Sequence, residues 1–325
     1  MAPLTKHLTR RRILKLFAAS TTLAAAPVAA KQESLHHWRG IALGADAQMT
    51  LCCENAAAAA RLFAMAEKEV ARLEAIFSLY RSDSALSMLN RNGELSNPPL
   101  ELLEVLSLSG AVHRATSGAF DPTVQSLWEY HAEVAAGASE EISARLKTLI
   151  AQSGWRHIAF DSSAVALLAP ETKLTLNGVA QGYISDRVAG LMRANGMTNI
   201  LIDLGEISAC GRRDGVARWR VGIAGEGDEP VEEVTLEDMA IATSAPLGTT
   251  LDQAGRLGHI IDPRTGSPAA SHWRQVSVIY ESAAIADALS TGAIMLDRAQ
   301  LGGMRAEFPS ARLIAFDTGG GRFAI

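Results

Sequence analysis

The first residues that could do chemistry lie in one short run, Ala286-Asp287-Ala288-Leu289-Ser290-Thr291, inside a segment of helical character from Ser282 to Leu296. On a helix, residues three and four apart are neighbours, so Asp287, Ser290 and Thr291 would share a face. One carboxylate beside two hydroxyls is a hard-oxygen set that suits Mg²⁺, with waters and substrate phosphates completing the octahedron. Read alone, the segment fits equally a helix capped by Ser282 with polar residues turned to solvent. A second run, Gly258-His259-Ile260-Ile261-Asp262-Pro263-Arg264-Thr265-Gly266, places a histidine before two isoleucines and then a turn in which Pro sets φ and Gly allows a left-handed exit. An imidazole at the lip of a buried strand could take a proton from a hydroxyl, or could be a core histidine satisfied by one hydrogen bond.

Three weaker segments complete the set. Leu174 to Tyr183 carries Gly178 and Gly182 at the entry of a helix running through Asp186, Val188 and Leu191. A helix start offers amides to phosphate, and glycine permits close backbone approach. Phe77 to Asn90 contains Tyr80, which could stack on a flat ring system. Thr116 to Thr123 contains Gly118-Ala119-Phe120-Asp121, a turn whose backbone could meet the edge of a heterocycle. Each alone reads as readily as a cap or a turn. G-x-G-x-x-G and G-x-x-x-x-G-K-[ST] are absent, so a nucleotide would be held by neither a Rossmann nor a Walker loop. Without G-x-S-x-G or H-E-x-x-H, serine and zinc hydrolases are disfavoured.

The elements that must position these residues are mixed. Leu62, Ala66, Val70, Leu73 and Phe77 recur at three- and four-residue steps, which predicts an amphipathic helix over 55–77. Pro98-Pro99 opens a second helix, in which Leu103, Leu106 and Gly110 share a face, and a third is expected from an N-cap at Ser139 to a stop at Gly154. Strands are expected at Ile41 to Leu51, Ala164 to Leu168, Ile200 to Leu204, Trp219 to Ile223, Val276 to Tyr280 and Leu313 to Phe316. The class is therefore α+β, with no linker and no internal sequence repeat dividing the chain.

Apolar residues make up 48% of the 325, enough for a sizeable core. The start, Thr9-Arg10-Arg11-Arg12-Ile13-Leu14-Lys15 followed by a small, apolar run to Ala30, reads as an export signal of the twin-arginine kind over 1–30, with Val28-Ala29-Ala30 as its cleavage site. The run is too short and alanine-rich to favour a spanning helix, and no later segment spans either. Residues 1–30 hold five positive charges (Lys6, Arg10, Arg11, Arg12, Lys15) and no negative ones, so their removal takes the net charge from −5 to −10 and makes nucleic acid an unsuitable partner. The expected location is periplasmic. Cys52, Cys53 and Cys210 have neither disulfide-framework nor metal-site spacing.

Taken in order, these segments resemble the motifs of the ApbE family of flavin transferases. They are Phe-Ser-x-Tyr-Arg-x-Asp-Ser from Phe77, Gly-Ala-Phe-Asp-Pro-Thr from Gly118, the Gly-Tyr-x-x-Asp helix entry at Gly182, Ala242-Thr243-Ser244, His259 to Gly266, and Ala286 to Thr291. The resemblance implies a T-fold-like α+β domain over 31–325, built of two related subdomains with an FAD cleft between them. It implies flavin contacts at Leu43, Tyr80, Ala119, Phe120, Asp121, Thr175, Gln181 and Ile260. It also implies Mg²⁺ at Asp287, Ser290, Thr291 and the main-chain oxygen of Gly178, and His259 as the residue that activates an incoming hydroxyl. The implied activity is transfer of FMN from FAD to a threonine of an exported or membrane-anchored electron-transfer protein, with AMP released. Alternatives on the same scaffold are an FAD pyrophosphatase, in which water replaces the threonine, and a non-catalytic flavin carrier. Thr175, Gln181 and Ala245 stand where the family commonly has Asp, Lys or Glu, and Gly. The wording of Arg39 to Ala45 and of Leu176 to Tyr183, with the twin-arginine signal, resembles the NosX branch, whose acceptor would be a NosR-like membrane protein.

Overall fold

The computed structural model describes residues 14–16, 34–137, 142–225 and 230–325 of the chain. Its main sheet has eight strands: β1 (Ser34–Ala42), β2 (Ala45–Cys53), β3 (Ile200–Asp203), β4 (Ile207–Cys210), β5 (Met239–Ser244), β6 (Trp273–Tyr280), β7 (Arg312–Asp317) and β8 (Arg322–Ala324). They lie side by side in chain order, each antiparallel to the next. Between β2 and β3 run α1 (Ala56–Phe77), α2 (Ala85–Asn92), α3 (Leu100–Ala115), α4 (Gln125–Ala135), α5 (Ile142–Gln152) and α6 (Ala180–Ala194). Between β6 and β7 run α7 (Ala283–Ala293) and α8 (Arg298–Glu307). Two strands, helices and two strands thus occur twice in succession, which gives the expected α+β class and its two related halves.

Alternation along the strands explains why both faces are dry. Ile200, Ile202, Ala242, Val276, Val278, Leu313 and Ala315 face the helices and join the core formed with α1, α6 and α7. Their neighbours Leu201, Ile241, Ile279, Ile314 and Phe316 face the other way, where Trp219, Val221, Ile223 and Leu236 cover them. Those four come from a hairpin, Trp219–Ala224 with Pro230–Leu236. Strands buried on both faces read as near-continuous apolar runs, and for that reason Ile200 to Leu204 and Leu313 to Phe316 stand out in the sequence.

Helix α1 begins as its spacing predicts: Asn55 caps it, accepting from the amides of Ala57 and Ala58, and Leu62, Ala66, Val70, Leu73 and Phe77 are buried. α3 begins directly after Pro99. For α5 the expected cap, Ser139, lies outside the described residues. One expectation is corrected, because Ile41 to Leu51 is not a single strand. Leu43 and Gly44 take φ of 47° and 76° and turn the chain between β1 and β2, pairing Ala42 with Ala45. This two-residue turn with both φ positive is the kind that matches strand twist, and Gly44 tolerates it without strain.

Of the expected export segment only Leu14–Leu16 is described; the arginines and the cleavage site lie outside the described residues. Those three residues form an edge strand antiparallel to Trp219–Ala224. Among the described residues no helix is long and apolar enough to cross a membrane.

Candidate active site

Helix α7 carries Asp287, Ser290 and Thr291 inward. Asp287 and Ser290 are 4% and 1% exposed, which removes the reading in which these polar groups face solvent. Ser244, the last residue of β5, lies two residues beyond Ala242 and so on the same face. Its hydroxyl stands 2.8 Å from the Ser290 hydroxyl and 3.4 Å from that of Thr291. The amide of Gly182, in the first turn of α6, donates to Asp287 Oδ2 at 3.4 Å, so the carboxylate faces the positive end of that helix. Gly178 closes the group: a Cβ added there would lie 2.9 Å from Thr291 Oγ1, so only glycine lets the main chain come so near. Among the described residues no three His, Cys, Asp or Glu side chains gather as a metal cluster. The donors here are instead one carboxylate, three hydroxyls and a close main chain, all oxygen. That set fits a hard cation holding substrate phosphates and does not fit zinc.

Both ends of α7 are fastened. At its start Ser282 caps by accepting from the Ile285 amide. Asp186, the seventh residue of α6, accepts from the Ser282 hydroxyl (2.7 Å) and from the amides of Ala283 (2.8 Å) and Ala284 (3.0 Å). Burial pushes the Asp186 carboxyl above its ordinary value, although these donors pull it down. The two helices touch closely, since a Cβ on Gly182 would fall 2.3 Å from the Ala283 carbonyl oxygen. Beyond its C-terminus, Ser271 Oγ donates to the Ile294 carbonyl (2.6 Å), Arg264 to Met295 (3.1 Å) and the Trp273 indole to Leu296 (2.7 Å). These bonds hold the chain just past α7, which ends at Ala293, short of the expected Leu296, with the amides of Ile294, Met295 and Leu296 on the carbonyls of Ser290, Gly292 and Ala293.

The Gly118 to Thr123 turn packs on the same helix. A Cβ on Gly292 would meet Thr116 Cγ2 at 2.7 Å and Phe120 Cβ at 3.1 Å. Ala119, Phe120 and Asp121 are buried. The Asp121 carboxylate is occupied within the turn, accepting from Thr123 N (2.9 Å), Thr123 Oγ1 (2.7 Å) and Trp155 N (2.9 Å). His113 Nδ1 lies 3.3 Å from it and 2.9 Å from the Phe120 carbonyl. A flavin could therefore meet the main chain here while Asp121 holds the turn. The Thr175 amide donates to Pro122 O (2.8 Å), and Asn90 brackets Leu174 with two bonds of 2.7 and 2.8 Å, which sets the 174–178 segment against that turn. The Gln181 side chain is buried against Gly205, whose φ of 113° carries the chain from β3 to β4.

Leu43 and Tyr80 meet at a second place. The Leu43 amide donates to Glu74 Oε1 at 2.6 Å, and the Tyr80 ring lies 3.8 Å from where a Cβ on Gly44 would stand. Tyr80 is 82% exposed, an aromatic face open for stacking. The other polar residues of its motif are structural. Ser84 caps α2, accepting from Ser87 N, and donates to Ser78 O, while Arg81 pairs with Asp83.

His259 arrives on the loop that leaves β5 at Ser244 and returns toward α7. Its amide and its Nδ1 both reach Thr249 O, at 3.2 and 2.9 Å. A carbonyl oxygen only accepts, so Nδ1 carries the proton and, in the neutral ring, Nε2 carries the lone pair. Ile260 and Ile261 are buried behind it, and the turn closes as expected, with Gly266 at φ 71° and its amide on Asp262 O at 2.8 Å. Arg264 holds Asp262 through two bonds, 2.9 and 2.8 Å, and reaches Met295 beyond α7, so the histidine loop and the hydroxyl helix are tied to one guanidinium.

The structure thus gathers Gly178, Asp287, Ser290 and Thr291 into one group, with Gln181 one residue from the Gly182 amide that meets Asp287. It sets Ala119, Phe120, Asp121 and Thr175 along the flank, and places His259 and Ile260 on the adjoining loop. Sequence reasoning did not assign Ser244, Asp186 or Arg264 to the site. Ser244 lies in a quoted motif, but its partners are 46 and 47 residues away in the chain.

The structure combines a buried hydroxyl and carboxylate set on α7 and β5 with a tautomerically fixed histidine on the loop that follows β5, groups suited to the chemistry of phosphate esters. The ApbE family model matches residues 43–310, and the chain belongs to that family. It is 32% identical over 235 residues to a Vibrio cholerae protein named FAD:protein FMN transferase, covering 67% of this chain and 68% of the relative. An Escherichia coli K12 protein of the same name is 30% identical over 238 residues, covering 68% and 67%. In fold, the chain is similar to the Vibrio cholerae flavin transferase ApbE (TM-score 0.77, 24% identity, 90% of this chain and 97% of that one). The apo form of the Pseudomonas stutzeri flavinyl transferase ApbE gives 0.77 at 24%, covering 90% and 96%.

Proposed function

We propose that this chain is an FAD:protein FMN transferase that moves the FMN half of FAD onto a hydroxyl side chain of another protein and releases AMP. The observation that carries the reading is the loop from Ser244 to His259, which joins a hydroxyl and carboxylate set fit for a cation and phosphates to an imidazole with its lone pair on Nε2. The acceptor oxygen forms a bond to the FMN-side phosphorus, the pyrophosphate bond to AMP breaks with its electron pair leaving on AMP, and the hydroxyl proton passes to His259 Nε2. Thr249 O, which accepts from Nδ1, steadies the imidazolium that forms. Mg²⁺ held by Asp287, Ser290, Thr291 and the Gly178 carbonyl would neutralise charge developing on the phosphates. Leu43, Tyr80, the Ala119-Phe120-Asp121 turn, Thr175, Gln181 and Ile260 would orient the flavin nucleotide.

The acceptor in this reading is a threonine of a membrane-anchored electron-transfer protein facing the periplasm. The twin-arginine pattern at Arg10 to Lys15 supports that location, and the wording of residues 39–45 and 176–183 supports a NosX-like role with a NosR-like partner. Calorimetry with purified protein tests the nucleotide half of the proposal. With Mg²⁺ present, FAD should bind more tightly than FMN, because the pyrophosphate meets the hydroxyl set. Equal affinities, unmoved by Mg²⁺, would point to a flavin carrier.

A further inference from the structure

We propose that Leu247 is a docking point for the acceptor polypeptide, meeting an apolar residue near the hydroxyl that receives FMN; this rests on the transferase reading and deepens it. Leu247 is 59% exposed, one of the few large apolar side chains left open on the described surface. It is not at a floppy tip. Ala245-Pro246-Leu247-Gly248 is a β-turn closed by the Gly248 amide on Ala245 O at 3.1 Å, with Pro246 fixing φ at the second position. The turn begins next to Ser244 of the hydroxyl set, and the following residue, Thr249, accepts both bonds from His259.

The turn is also pressed against the neighbour of the histidine. A Cβ on Gly258 would fall 2.3 Å from Pro246 O and 3.7 Å from Leu247 Cδ2, so Leu247 stands beside the residue that precedes His259. An acceptor hydroxyl must come within about 3 Å of the imidazole to give up its proton. Successive residues of a chain are about 3.8 Å apart, so a residue flanking that hydroxyl comes within reach of the turn that packs on Gly258, next to His259. The occupant is the polypeptide that the transferase reading requires, and its contact with Leu247 is apolar. An aspartate at 247 would remove that contact and set a charge against it.

The test uses the full-length protein with FAD, Mg²⁺ and the envelope fraction of source cells lacking this chain, with covalent flavin read as in-gel fluorescence under ultraviolet light. FAD affinity is measured in parallel by calorimetry. Leu247→Asp should bind FAD within about twofold of the parent yet need about tenfold more envelope fraction for half-maximal labelling, the change expected from losing one apolar contact of about 1.4 kcal/mol. Leu247→Met should behave like the parent. Half-maximal labelling unchanged in Leu247→Asp would overturn the proposal, as would a parallel fall in FAD affinity, which would make Leu247 part of the nucleotide site. If the parent labels no protein, the transferase reading itself fails and the docking point goes with it.

Discussion

Replacing Asp186 with alanine should loosen the start of α7 and with it the hydroxyl set. The carboxylate accepts from the Ser282 hydroxyl and from the Ala283 and Ala284 amides at 2.7, 2.8 and 3.0 Å. Ala283 and Ala284 are almost wholly buried, so water replaces the lost acceptor poorly. An orphaned buried donor costs about 1–3 kcal/mol, and Asp186 is itself only partly covered, so the expected loss is about 2–3 kcal/mol. Against a total of about 5–15 kcal/mol that is large, and urea denaturation would show it as a lower midpoint at unchanged slope. Asp186→Asn keeps one acceptor and should lose about half as much.

The pH dependence has a definite sign. Because burial raises this carboxyl above 3.8, the folded chain holds its proton more tightly than the unfolded chain. Its favourable contribution is complete below 3.8 and is lost as pH rises through the folded-state value. The stability gap between the parent and Asp186→Asn should therefore narrow as pH climbs through that window. An Asp186→Ala protein within about 0.5 kcal/mol of the parent, inside the scatter of ordinary surface changes, would mean that packing alone holds α7 and that these three bonds do not.

Other perturbations separate the roles within the site. His259→Ala should keep FAD affinity but slow transfer by roughly 10²-fold or more in single-turnover assays, the usual scale for a positioned base. Asp287→Ala should remove the response of FAD binding to Mg²⁺, followed by calorimetry, while the circular dichroism spectrum stays that of the parent. Gly182→Ala forces a Cβ to within 2.3 Å of the Ala283 carbonyl oxygen, and should cost about 1–3 kcal/mol by thermal unfolding as α6 and α7 are pushed apart.

The parts of this protein legible in the sequence are those set by local periodicity or by short-range chemistry. α1 is readable because five apolar residues repeat at helical steps, and β3 and β7 because both of their faces are covered. The turn at Asp262 to Gly266 is readable because Pro and Gly act within four residues. The β1–β2 turn was missed because one of its two positive-φ residues is Leu43, a type that gives no turn signal. Asp186 closes the Gly-Tyr-x-x-Asp motif, but nothing local tells its role, which exists only because Ser282 to Ala284, 96 to 98 residues later, start a second helix against it. Arg264 likewise follows a proline in an ordinary turn until the fold brings Met295 to it. Asp287, Ser290, Thr291 and His259 stand out by residue type and spacing; the residues that hold their elements in place depend on contacts that no local pattern encodes.

The measurement that bears most directly on the transferase reading is mass spectrometry of the envelope acceptor after incubation with the purified protein, FAD and Mg²⁺. A single threonine-containing peptide heavier by FMN less one water is expected, with AMP released in equal amount, and neither product with Asp287→Ala. AMP and free FMN formed in equal amounts, with every acceptor peptide at its unmodified mass, would contradict it and make the chain a pyrophosphatase.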